Sequence, residues 1–102
     1  MKIRFDDRVA IVTGAGQGLG RSHAISLAKR GAKVIVNDLG ASGGESDNAE
    51  KVAEEIRNNG GEAIANGSNV SNFDEVQNMV SQAMDAWGRV DILVNNAGIL
   101  RD

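Results

Sequence analysis

Four short apolar runs, Val9–Thr13, Lys33–Asn37, Glu62–Ala65 and Asp91–Asn95, recur along the chain, each separated from the next by a stretch long enough for a helix. Three of them are nearly continuous in Val, Ile and Leu, with no alternation of apolar and polar positions. A strand of that kind suits a sheet covered on both faces, as parallel sheets are. Parallel neighbours cannot be joined by a tight turn; they need crossover connections, which are right-handed almost without exception.

The intervening stretches read as those crossovers. The first helix is predicted over Leu19–Arg30, with Lys29 and Arg30 beside the negative end of its dipole and Gly31 as the stop. The second is predicted over Asn48–Asn59. Asp47 and Glu50 have capping-box-like spacing, Val52, Ala53 and Ile56 share a face, and Gly60-Gly61 ends it. The third is predicted over Phe73–Trp87, capped by Ser71 with Asp74 or by Asn72 with Glu75. Its stripe of Val76, Met79, Val80, Ala83, Met84 and Trp87 is expected in the core, and Gly88 stops it. The order β-α-β-α-β-α-β makes one α/β unit over residues 1–102, without internal repeat. Residues 40–46, rich in Gly and Ser, form a long loop.

Composition narrows the chemistry. Eleven basic against fourteen acidic residues leave a net charge of −3, which argues against a nucleic-acid groove or an anionic membrane surface as partner. There is no Cys and a single His, so thiolate catalysis is excluded and no metal site is expected. No apolar run approaches the ~20 residues of a membrane-spanning helix. The first residues, Met1 to Asp7, are too polar for a signal peptide, and Ile99–Asp102 carries no targeting tripeptide. His23, early in the first helix, reads as a structural or exposed position, and the charged set Glu50, Lys51, Glu54, Glu55 and Arg57 as a solvated helix face.

The first strand runs into Thr13-Gly14-Ala15-Gly16-Gln17-Gly18-Leu19-Gly20, which then opens a helix. Glycines let backbone turn tightly and approach a pyrophosphate, and a helix N-terminus offers free N–H groups and a positive dipole end. The spacing is Gly14, Gly18 and Gly20, with Gly16 as an extra; Leu19 breaks the G-x-G-x-x-G version. No Lys-Ser or Lys-Thr follows, so the loop is not that of a P-loop NTPase. Asp38, at the end of the second strand, can accept hydrogen bonds from ribose hydroxyls and repels a 2′-phosphate, which favours NAD over NADP. Neither Gln17 nor Leu39 is basic, although Arg21 lies nearby. The fourth strand ends in Asn95-Asn96-Ala97-Gly98, whose amides can bind neighbouring backbone or a ligand.

Taken together, Thr13-Gly14-x-x-x-Gly18-x-Gly20, Asp38 and Asn95-Asn96-Ala97-Gly98 resemble the short-chain dehydrogenase/reductase family. Val36-Asn37-Asp38-Leu39-Gly40, the long loop after it and Asn96–Asp102 resemble, more narrowly, the (3R)-hydroxyacyl-CoA dehydrogenase domains of peroxisomal multifunctional enzymes and their bacterial relatives. The resemblance implies a Rossmann-type doubly wound parallel sheet, four strands in order 3-2-1-4, truncated after the fourth. It implies that Gly14, Gly18 and Gly20, with Gly16, Gln17 and Leu19 of the same loop, cradle the pyrophosphate of NAD. It puts Asp38, with Leu39 beside it, on the adenosine ribose, and Asn69-Val70, in place of the usual Asp-Val, beside the adenine. Asn96, Ala97 and Gly98 would line the crevice wall.

Family catalysis rests on a Ser and a Tyr-x-x-x-Lys pair further downstream. This chain has no Tyr at all, so no catalytic residue is assigned and the chain alone is expected to be inactive. It reads as the nucleotide-binding N-terminal half of an oxidoreductase acting on a hydroxyl or ketone substrate. The alternative is a dinucleotide-binding or assembly module without catalysis. The resemblance implies a soluble intracellular setting, the cytoplasm in a bacterium or the peroxisome. Strand 91–95, left as an apolar edge, is expected to pair with a second copy or a complementing chain.

Overall fold

The computed structural model describes residues 4–39 and 47–96. Its elements are β1 (Val9–Thr13), α1 (Gly18–Lys29), β2 (Lys33–Asn37), α2 (Asp47–Asn58), β3 (Glu62–Asn66), α3 (Phe73–Trp87) and β4 (Ile92–Asn95). The four strands form one parallel sheet in the order β3-β2-β1-β4, as the resemblance implies. Element ends fall within a residue of the expected ones. Asp91 precedes β4 instead of opening it, and Asp47 lies inside the first turn of α2, so the Asp47–Glu50 capping box does not form. Of the two candidate caps for α3, Asn72 is used: its side chain accepts from the Glu75 N–H at 3.1 Å. Gly88, left-handed, closes the helix by donating to the Met84 carbonyl.

Register explains why the middles of β1 and β2 are apolar on both faces. Ile11 pairs with Ile35 on one side and Leu93 on the other, and Ile35 with Ile64, so one row of side chains crosses the sheet. That row, with Val9, meets Met79 and Ala83 of α3. The opposite row, Val12, Val34 and Val36, meets Ala24 of α1 and Val52, Ala53 and Ile56 of α2. Each fully buried Val or Ile stabilises the fold by about 1.5–3 kcal/mol.

The two faces are unequally covered. Among the described residues, two helices pack on one and only α3 on the other. Two residues expected in the core therefore reach solvent, Met84 at 46% exposure and Val80 at 39%. Trp87 is half-buried, its Nε1–H donating to Glu62 at 3.2 Å. β4 is exposed too. Leu93 shares its face with buried Ile11, yet is 64% exposed.

At the amino-terminal rim Asp91 ties β4 to β1. Its Oδ2 accepts from the Val9 N–H at 2.9 Å and from Arg89 Nε at 2.8 Å, and its own N–H donates to the Val9 carbonyl. The Arg89 guanidinium first, and then the Val9 N–H, hold the Asp91 carboxyl below the usual carboxylate range. The group therefore stays ionised in its clamp.

Candidate functional site

The carboxyl ends of β1, β2 and β4 meet at the opposite rim, the edge of an open α/β sheet where ligands bind. The loop after β1 is shaped by Gly14 and Gly18, with φ of 62° and 63°, values that a residue with a Cβ adopts only at a cost. The Ala15 N–H donates to the Asn37 carbonyl at 2.7 Å, which pins the loop to the end of β2. α1 then starts with no acidic residue in its first turn, and Gln17 at its N-cap makes no side-chain capping bond. A Cβ added at Gly18 would enter open space. The positive end of α1 is thus open beside Gly18, a geometry that suits an anion such as a pyrophosphate. Leu19 projects outward, 71% exposed.

Gly20 serves packing. A Cβ there would overlap the Gly14 carbonyl and stand 2.8 Å from Asn96 Nδ2. The glycine is what lets α1 lie directly on the loop. Gly16 is crowded from another side: a Cβ there would overlap Asp38 Oδ2 and come within 2.6 Å of Asn48 Cβ. The loop and Asp38 are therefore in contact. Asp38 Oδ1 accepts from the Leu39 N–H at 3.0 Å, and Leu39 itself is exposed on the rim.

β4 contributes by lacing. Thr13 Oγ1 accepts from the Asn96 N–H at 3.0 Å and lies 3.2 Å from Asn95 Oδ1, to which it can donate; Asn96 Nδ2 donates to the Gly14 carbonyl at 3.3 Å. Of the two uses open to these amides, Asn96 takes the backbone one and holds the loop in place. Ala97 and Gly98 lie outside the described residues.

Asn69 and Val70 lie on the same rim but are not joined to the loop by any hydrogen bond among the described residues. The Asn69 Oδ1 accepts from the Ser71 N–H at 2.9 Å and the Asn69 backbone N–H donates to Glu75 at 2.8 Å, so the residue takes part in a local turn. Val70 packs against the α3 face of the sheet. With Thr13, Val76, Met79, Leu93 and Asn95 it lines a cavity of about 270 Å³ between α3 and β4.

A buried amide network beneath the rim was not anticipated. Asn37, only 1% exposed, donates to Asn66 Oδ1 at 2.9 Å and to the Ser68 carbonyl at 3.1 Å. Asn66 in turn donates to Gln82 of α3 at 2.9 Å. It holds the ends of β2 and β3 together and anchors them to α3. The available signal was an Asn at the end of each of two otherwise apolar strands. Arg21 is also committed: its Nη2 reaches both oxygens of Glu55 on α2, at 2.7 and 2.8 Å, so Glu55 is not simply solvated. No cluster of His, Cys, Asp or Glu fit for a metal occurs among the described residues, and no described helix is long and apolar enough to cross a membrane.

Comparison with known proteins bears on this geometry. The family model for short chain dehydrogenases matches residues 8–102. Peroxisomal multifunctional enzyme A of Dictyostelium discoideum is 54% identical over 106 aligned positions, which take in 100% of this chain and 23% of that protein. The crystal structure of a short chain dehydrogenase from Mycobacterium avium superimposes with a TM-score of 0.86 at 48% identity, over 95% of this chain and 35% of that one. A 7α-hydroxysteroid dehydrogenase complexed with NADH and 7-oxo glycochenodeoxycholic acid gives 0.82 at 40% identity, over 90% and 34%. The chain thus spans between about a quarter and a third of these relatives. A model match over nearly its whole length, on a sheet of the same order with the glycine loop and Asp38 in contact, places the chain in the short-chain dehydrogenase family.

Proposed function

We propose that this chain is the NAD(H)-binding unit of a dehydrogenase. The observation that carries the reading is the open, uncapped positive end of α1, lined by Gly18, with Asp38 in contact with Gly16 beside it. A dinucleotide needs both: an anion cradle for its pyrophosphate and an acceptor for its ribose hydroxyls. NAD is preferred to NADP because Asp38 faces the 2′ position and the neighbouring cation, Arg21, is held by Glu55. The complex of the hydroxysteroid dehydrogenase with NADH supports the class of cofactor.

When bound, the nicotinamide exchanges a hydride with a carbon bearing a hydroxyl or ketone. The residues described here bind and orient the dinucleotide; none is assigned to move the substrate proton. Similarity to the peroxisomal multifunctional enzyme supports a 3-hydroxyacyl-CoA as substrate of the whole protein. Titration calorimetry of the 102-residue chain with NADH tests the reading. Saturable binding is expected, with no formation of NADH from NAD and a 3-hydroxyacyl-CoA. Absence of binding by folded chain, or turnover above the blank, overturns it.

We further propose that the outer edge of β4 and the groove beside Leu93 receive a complementing polypeptide, equivalent to the part of the longer relatives that this chain does not span. A parallel sheet is stable when covered on both faces, and here the α3 face is open at β4. Coexpression with the remainder of the Mycobacterium avium dehydrogenase is expected to yield a 1:1 complex, which Leu93→Lys weakens at least tenfold by putting a charge in the apolar contact. A chain that stays monomeric beside that partner, or that forms only homodimers, sinks this proposal.

A further inference from the structure

We propose that Asn48 is a specificity-determining residue of the dinucleotide site, standing with Asp38 over Gly16 and reading the ribose hydroxyls. The inference rests on the dinucleotide reading and adds a residue to it.

Gly16 differs from its neighbours in the loop. Its φ is not among the positive values that Gly14 and Gly18 adopt, and it precedes α1, whereas Gly20 lies within that helix. What a Cβ there would meet is the Asp38 carboxylate and the Cβ of Asn48. Two side chains from separate elements, the end of β2 and the first turn of α2, thus share the space above Gly16. The other described asparagines of this rim already make side-chain hydrogen bonds: Asn37 and Asn66 to each other, Asn69 with Ser71, Asn95 with Thr13 and Asn96 with Gly14. The Asn48 carboxamide is exposed and makes no hydrogen bond among the described residues.

The chemistry of the pair is complementary. An ionised carboxylate only accepts, whereas a carboxamide offers two N–H donors and an acceptor. A ribose diol has hydroxyls that both donate and accept. Asp38 can accept a hydrogen bond from one hydroxyl while Asn48 donates to a hydroxyl oxygen. A 2′-phosphate has no proton for Asp38, and an amide cannot neutralise its charge. α2 contributes twice, presenting Asn48 at its start and retaining Arg21 through Glu55 further along.

The test is calorimetric titration of the 102-residue chain with ADP and with 2′-deoxy-ADP. The unaltered chain is expected to prefer ADP. Asn48→Ala should weaken ADP about three- to tenfold, the loss of one hydrogen bond, and leave 2′-deoxy-ADP unchanged. Asn48→Asp, of the same shape but without donors, should fail to restore ADP binding. Equal losses for both nucleotides, or no loss for ADP, overturn the role of Asn48 while NADH binding by the unaltered chain stands. If the folded, unaltered chain binds neither ADP nor NADH, the dinucleotide reading falls and this inference with it. Far-UV circular dichroism of the variants should match the unaltered chain, because the Asn48 side chain is exposed and unbonded.

Discussion

Replacing Asp38 with Ala is expected to abolish the preference for NADH over NADPH. Two unit charges about 4 Å apart at an effective dielectric of 20 repel by about 4 kcal/mol. Asp38 is half-exposed, and salt at physiological strength screens part of this. The unaltered chain should therefore prefer NADH by roughly tenfold to several hundredfold. In Asp38→Ala the repulsion disappears and so do the charge-assisted bonds to the ribose, worth about 1.5–3 kcal/mol. NADH should weaken by about tenfold or more and NADPH should tighten, until the two bind alike. Asp38→Asn separates the two effects. It keeps an acceptor oxygen and loses the charge, so NADPH should gain while NADH loses less than in the Ala variant. Parallel titrations with both cofactors decide. An unchanged NADH-to-NADPH ratio in Asp38→Ala would remove Asp38 from the site.

The largest effect on stability is expected at Gly20. A side chain there meets the Gly14 carbonyl, and backbone cannot turn aside as a flexible side chain could. Gly14 is also held on its far side, by Asn96 and through the pairing of Thr13 with Asn95. Relief requires α1 to move off the sheet and give up contacts such as that of Ala24 with Val12 and Val34. Overpacking typically costs 1–3 kcal/mol and sometimes more, so Gly20→Val should lose roughly 3 kcal/mol. For a domain of this size that is a fall in melting temperature of roughly 12–24 °C. Gly18→Ala is the contrast. Its Cβ enters open space, so only the positive φ is penalised, by about 1–2 kcal/mol. A thermal melt of Gly20→Val within a few degrees of the unaltered chain would show that α1 can shift without loss.

What was legible in the sequence was whatever a residue declares by itself or with near neighbours. Val9–Thr13 and Lys33–Asn37 announce strands buried on two faces, and the glycine loop, Asp38 and Asn95–Gly98 carry the family resemblance. What was not legible depends on register between separate elements. The Asn37–Asn66–Gln82 network exists because β2 and β3 pair with both Asn residues level. Asn48 matters only because α2 begins above Gly16. Glu55 finds Arg21 on another helix. The stripe on α3 identifies its apolar face, but how much of that face is covered depends on what else packs there, which is why Met79 is buried and Met84 is not. The turn at Asn69 was not legible either: a short amide can bond its own backbone, and Asn69 Oδ1 accepts from the Ser71 N–H.

The Thr13 knot has a consequence for the order in which the unit forms. β1 emerges first from synthesis, yet the strand on its outer flank is the fourth. The bonds that the Thr13 hydroxyl and the Gly14 carbonyl make to Asn96 must wait for the end of β4. The tie from Ala15 to β2 does not depend on β4 and can hold the loop before then. These are the most distant pairings in the sheet and so the slowest to close. A ligand that recognises the finished loop therefore also favours the seating of β4, since whatever binds only the completed state draws the chain towards it.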